Sequence, residues 1–223
     1  MKLNIAIDGP SASGKSTIAK ALAKRLNYTH LDTGAMYRAC AYKALKNGIN
    51  TDNEDDLVKM VNSSHFAFDD LGQILLDGVN ISSDIRSKEI DLLTSKIARY
   101  AQVRASLVKI QQFMAKNKGY ILDGRDIGTV VLPDAEVKIF QTASIESRAK
   151  RRLLDYQNKG IKIDYQTIYN EIELRDYQDQ NREHSPLRKT DNAFVLDTSN
   201  LSINESVDIV YDLVIKKINE GSD

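Results

Sequence analysis

Residues 9–16 read Gly-Pro-Ser-Ala-Ser-Gly-Lys-Ser, a complete G-x-x-x-x-G-K-[ST] phosphate loop. No other stretch constrains the fold as tightly. Such a loop works only between a strand and a helix, because its backbone N–H groups must turn inward and the helix N-terminus must add positive charge. Both flanks are present: the apolar run 3–7 (LNIAI) precedes it and Thr17-Ile-Ala-Lys-Ala-Leu-Ala-Lys follows. A nucleoside triphosphate site is therefore expected from Gly9, Pro10, Ser11, Ala12, Ser13, Gly14, Lys15, Ser16 and Thr17. Lys15 is expected to bridge the β- and γ-phosphates, and Ser16 to hold Mg²⁺ through its hydroxyl.

Four more short apolar runs follow, at 28–31 (YTHL), 120–122 (YIL), 137–140 (VKIF) and 193–196 (AFVL). With 3–7 they predict five strands buried on both faces of a parallel sheet. Helical stripes separate them, as in Val103, Leu107, Ile110 and Met114 or Val207, Val210, Val214 and Ile218. Strands alternating with helices imply a three-layer α/β domain. One segment breaks the rhythm: HFAFDDLGQILLDGVNI (65–81) reads as short strands divided by Asp-Asp-Leu-Gly and Asp-Gly turns. It predicts a small antiparallel meander inserted at roughly 62–90, either surface decoration or a flap on the substrate side.

Charge and cysteine content exclude several alternatives. The 223 residues carry 31 Lys and Arg against 31 Asp and Glu, which argues against a nucleic-acid binder working by bulk charge but allows local clusters. The single cysteine, Cys40, permits no intramolecular disulfide and no cysteine-cluster metal site; it falls in a helical stretch and reads as core filler. His30, His65 and His184 lack metal-ligand spacing. No stretch approaches the ~20 apolar residues of a membrane span, and no apolar signal core opens the chain, so a cytoplasmic location is expected.

A phosphate loop alone serves GTPases, motors and kinases. The Asn-Lys-x-Asp guanine reader of a GTPase is missing, and a motor calls for a longer chain. A kinase needs an acceptor site. Residues 31–38 read Leu-Asp-Thr-Gly-Ala-Met-Tyr-Arg and residues 122–129 Leu-Asp-Gly-Arg-Asp-Ile-Gly-Thr. Asp32 suits a helix N-cap. Asp123, Arg125 and Asp126 fall just past an apolar strand, where open α/β sheets place their ligand crevice. The stripe Tyr165, Ile168, Ile172 continues in register through Arg175, Asp179 and Arg182, as a helix running over a cleft or as a salt-bridge ladder. Residues 148–152, Arg-Ala-Lys-Arg-Arg, read as a solvated face, a weak nucleic-acid patch or a lid over phosphates.

With both acceptor motifs in order, nearly the whole chain resembles the bacterial cytidylate kinases, a family of P-loop nucleoside monophosphate kinases. The resemblance implies a P-loop kinase fold: a five-stranded parallel sheet, an acceptor-side antiparallel insertion (62–90) and a helical lid (147–163). It implies ATP-dependent phosphorylation of CMP and dCMP with Mg²⁺, by a monomer without nucleic-acid or membrane partners. Arg38, Arg125 and Arg175 would bind the acceptor phosphate, with Arg175 and Asp179 also reaching the ribose. Ser95 and Asp126 would accept from the cytosine amino group and Arg104 would meet the carbonyl side of the ring; Thr33, Tyr37 and Arg182 complete the pocket. Asp123 would either orient the acceptor or hold Mg²⁺ through water. Arg148, Arg151 and Arg152 would close over the donor phosphates beside Lys15. Thr33 stands where the family usually has serine, which preserves the hydroxyl. Within this class UMP and AMP are the competing acceptors, and the Ser95, Arg104 and Asp126 set is what separates them.

Overall fold

The computed structural model describes residues 1–69, 71–158 and 160–221. All five expected strands form: β1 (Ile5–Asp8), β2 (Thr29–Asp32), β6 (Tyr120–Gly124), β7 (Val137–Thr142) and β8 (Phe194–Asp197). They lie in the order β2-β6-β1-β7-β8, every pair parallel. Alternation within each strand sends side chains to both faces. Ile5, Ile7, Ile121 and Ile139 pack against Ile18, Leu22, Val207, Val210 and Val214 of α1 (Lys15–Leu26) and α8 (Ile203–Glu220). On the other face Ala6, Leu31 and Leu122 meet Ala115, Ile127 and Val131. The edge strand β8 departs from the expected two-sided burial: Phe194 and Val195 are 41% and 48% exposed.

The inserted meander forms as a three-stranded antiparallel sheet of β3 (Phe66–Phe68), β4 (Ile74–Leu76) and β5 (Val79–Asn80). Asp77 and Gly78 have φ of 51° and 82°, the left-handed pair that matches the twist of a two-residue hairpin. The meander proper is shorter than the 62–90 expected, since a 3₁₀ turn (Asp84–Arg86) and the start of α4 (Lys88–Ile97) occupy the remainder. Phe66, Ile74, Leu76, Ile81 and Ile85 share a core with α2 (Thr33–Lys46), α3 (Glu54–Asn62), α4 and α5 (Ala101–Met114). Cys40 is buried in that core, and burial pushes its thiol up to about 12. The range expected as a lid falls in α6 (Ile145–Asn158) and the loop after it, and α6 packs on α7 (Tyr165–Asn181) over Ala149, Ile168 and Ile172. Asp70 of the expected Asp-Asp-Leu-Gly turn and Lys159 of the expected lid range lie outside the described residues.

Strand register sets the site. Asp32 pairs with Asp123 and Asp8 with Gly124, so three carboxylates gather at the carboxyl ends of β1, β2 and β6. The phosphate loop leaves the same edge.

Candidate active site

The phosphate loop is fixed mainly by backbone geometry. Gly9 has φ of 155°, and a Cβ there would lie 1.9 Å from the carbonyl oxygen of Gln141, so only glycine fits. Gly14 (φ 89°) caps α1, and Ser11 through Thr17 face the cleft while Gly9 and Pro10 form the turn behind. Lys15 is buried and donates to Pro10 O (2.7 Å) and Ser13 Oγ (3.3 Å). Burial, and then the nearby Arg125 charge, push its amine down to about 7. Ser16 Oγ donates to Asp123 Oδ2 at 2.7 Å. Burial pushes the Asp8 carboxyl up to about 6, although it accepts from the backbone N–H groups of Ile127 and Gly128. Those residues open a π-helical turn (Ile127–Val131) directly after Asp126.

The side of the cleft facing the phosphate loop is built from charge pairs. Asp32 caps α2 by accepting from Ala35 N (2.8 Å), and its second oxygen accepts from Arg38 Nη2 (3.0 Å). Arg125 Nε donates to Asp179 Oδ2 at 2.7 Å. Arg104 donates from Nη2 to Asp126 Oδ2 (2.5 Å) and from Nη1 to Ala98 O (3.0 Å), while its guanidinium sits 5.3 Å from the Tyr37 ring centre. Arg182 lies 3.7 Å from the other Asp126 oxygen and also donates to Ser185 O. Thr33 Oγ1 donates to Asp123 O (2.7 Å); a Cβ on Gly124 would meet that hydroxyl at 2.7 Å, so this crossing needs glycine. Arg175 is half-buried on the cleft and makes no direct hydrogen bond or ion pair among the described residues.

These groups line one cleft of about 660 Å³, and among the described residues ten Lys and Arg side chains face five Asp there. The imbalance registers on individual groups. Burial pulls Arg104 and Arg125 down, yet both are held above the ordinary guanidinium range, Arg104 by Tyr37 and then Asp126, Arg125 by Asp179. Arg86, Arg175 and Arg182 are pushed below it by burial and by neighbouring arginines. Positive charge is thus left uncompensated where an anion would bind.

Three expected residues are placed differently. Ser95 is not on the cleft: its Oγ donates back to Asp91 O (3.1 Å), and α4 presents Lys88, Asp91 and Thr94 instead. Arg148 is buried, donating to Ala143 O (2.9 Å) and Ser11 O (3.1 Å) and pairing with Asp176 (2.6 Å). Arg151 donates to Ser13 O (3.3 Å) and to Thr198. Both therefore tie α6 to the phosphate loop. Only Arg152 of the three lines the cleft, stacked on Tyr156 and 3.8 Å from Asp91. Arg86 was not legible as a site residue, yet it lines the cleft 3.7 Å from Asp32 beside Arg38. It sits in a 3₁₀ turn whose sequence carries no periodic or motif signal.

A phosphate loop facing an arginine-rich pocket across one cleft, on a five-stranded parallel sheet, defines a P-loop kinase of small acceptors. Its particular family follows from sequence: the cytidylate kinase family model matches residues 5–217. Cytidylate kinases of Caldicellulosiruptor bescii and Enterococcus faecalis are 47% and 46% identical to it, each over 97% of both chains. That of Lysinibacillus sphaericus is 45% identical over 97% of this chain and 98% of its own. The chain belongs to the cytidylate kinase family and is a nucleoside monophosphate kinase. Among solved structures, an uncharacterized protein from Eubacterium ventriosum aligns with a TM-score of 0.54 at 13% identity, covering 96% of this chain and 98% of its own. Shikimate kinase from Bacteroides thetaiotaomicron gives 0.50 at 11%, covering 96% and 99%, and both share the fold. Among the described residues no helix is long and apolar enough to cross a membrane.

Proposed function

We propose that the enzyme transfers the γ-phosphoryl group of ATP to CMP and dCMP. The buried Arg104–Asp126 pair beside Tyr37 carries this reading. Cytosine offers an N4 amino donor that the Asp126 carboxylate can accept, and a ring carbonyl for Arg104; uracil presents an acceptor where N4 stands, facing the carboxylate with a lone pair. A buried site built on such bonds can reject the wrong analogue by about 10⁴–10⁵.

Arg38, Arg125 and Arg175 hold the acceptor phosphate in this reading, with Arg86 added to the set and Asp179 orienting Arg125. Lys15 leaves its two loop oxygens for the donor phosphates, and Arg152 moves from Asp91 to the phosphoryl group in flight. Arg148 and Arg151 keep the loop in shape. The acceptor oxygen is already anionic, so positioning and charge stabilisation suffice and no strong base is needed. Ser16 and Asp123 supply hard oxygens 2.7 Å apart. That donor set fits Mg²⁺, which binds through one or two protein oxygens together with phosphates and water. When bound, Mg²⁺ would neutralise charge on the β- and γ-phosphates.

Steady-state rates with ATP·Mg²⁺ and CMP, dCMP, UMP and AMP in turn test this. CMP and dCMP should dominate kcat/KM; UMP or AMP outpacing them overturns the assignment.

A further inference from the structure

His30 is a buried histidine, whereas His65 and His184 are exposed. It stands on β2, and its side chain reaches β6, where Nε2 lies 2.6 Å from Asp123 Oδ1. A carboxylate only accepts, so Nε2 carries the hydrogen of this bond. The other nitrogen, Nδ1, is buried without a partner, and the turn between β3 and β4 closes behind it: a Cβ on Gly72 would stand 3.6 Å away. The contact with Asp123 is thus the one side-chain hydrogen bond of this ring among the described residues. Asp123 is held from both sides, Oδ1 by His30 and Oδ2 by Ser16 Oγ at 2.7 Å. Without the first bond the carboxylate could rotate and present either oxygen. With it, Oδ2 stays aimed at the phosphate loop.

We infer that His30 is a positioning residue for phosphoryl transfer, which holds Asp123 Oδ1 and so keeps the Ser16–Asp123 oxygen pair set for the divalent cation of the donor nucleotide. The inference rests on the reading of Ser16 and Asp123 as that cation's protein oxygens. Partners standing behind a ligand in this way are worth about 10–100-fold in metal affinity or activity.

The test reads Mn²⁺ affinity of the full-length protein–ATP complex by electron paramagnetic resonance, without acceptor, alongside the Mg²⁺ concentration for half-maximal rate. His30→Leu should weaken the Mn²⁺ affinity about tenfold and raise the Mg²⁺ concentration for half-maximal rate about tenfold, while leaving the KM for CMP unchanged. His30→Gln, which can place an N–H where Nε2 stands, should return both to within about threefold of the natural protein. A His30→Leu protein that melts normally and binds Mn²⁺ with unchanged affinity overturns the inference. If that variant does not fold, the natural protein decides. The downfield proton of the His30–Asp123 bond should shift when Mg²⁺ is added to the ATP complex, and an unmoved resonance overturns the inference. Asp123→Asn, measured in parallel, separates the two failures. Unchanged Mn²⁺ affinity there sinks the cation-site reading and the inference with it; weakened affinity there, but not in His30→Leu, sinks the inference alone.

Discussion

On the proposed reading the cleft has a donor half and an acceptor half, and the two are organised by different physics. The donor half is a steric device: Gly9 packs against the Gln141 carbonyl, Gly14 caps α1, and Lys15 folds onto oxygens of its own loop. The acceptor half is electrostatic, with Arg38 on Asp32, Arg125 on Asp179 and Arg104 on Asp126. A steric device is complete before its ligand arrives. A charge-paired pocket is complete only in part, since an incoming phosphate or base must share guanidiniums that carboxylates already hold. Damage to the first half should therefore act on shape and rate, and damage to the second on affinity and choice of acceptor.

Helix α6 joins both halves and gives the largest expected effects. Arg152→Ala should cut kcat by about 10³-fold with the melting temperature unchanged, because a guanidinium reaching the transferring group is worth 10³ or more. Arg148→Ala should behave in the opposite sense. It leaves buried Asp176 without its ion pair, a loss of about 3–5 kcal/mol that lowers the melting temperature by about 10 °C. Thermal melts beside kinetics decide between them, and a stable, inactive Arg148→Ala enzyme would return that residue to the chemistry.

Next in size is Asp126→Asn. Under the proposed base contact, asparagine would turn one oxygen to cytosine N4 and remove the counter-charge of Arg104, so the KM for CMP should rise about 100-fold with the KM for ATP nearly unchanged. Equal loss for both nucleotides would contradict the division between the halves. Arg86→Ala is smaller, about tenfold on the KM for CMP, a loss of ~1.4 kcal/mol. Because its proposed contact is to phosphate alone, the ratio of CMP to UMP kcat/KM should stay constant; a changed ratio would place Arg86 against the base.

What could be read from sequence follows the same divide. The phosphate loop is contiguous and all five strands are apolar runs, so both were legible without any tertiary information. The acceptor pocket is assembled from β2, α2, α4, α5, β6 and α7, and only its motif-bearing segments could be found. Helix phase sets two placements apart from those expected. Each residue turns about 100° around a helix, so Ser95 and Thr94 point apart, and α4 gives the cleft Thr94. On α6, Arg148 and Arg151 share the face toward the loop, while Arg152 lies a step round and faces the cleft. A cluster of arginines shows charge without direction. His30 was silent for another reason: its partner Asp123 is 93 residues away, joined only by the pairing of β2 with β6.

The finest test concerns a proton. Lys15 in the ligand-free loop is pushed down to about 7 from 10.5 by burial and by Arg125. Between those two values the unfolded chain binds the extra proton, so Lys15 makes the ligand-free protein gain stability as pH rises through that window. Polyphosphate reverses the local charge and favours the ammonium form. At pH 8 ATP binding should therefore take up close to one proton, and the affinity should weaken as pH climbs from 7. Calorimetry in two buffers of different ionisation enthalpy measures that proton directly. Uptake that persists in Lys15→Met would assign it to another group, and Asp8, at about 6, is too acidic to supply it at pH 8. A pH-independent affinity would mean that the donor half already carries its full charge before ATP arrives, making it electrostatic as well as steric.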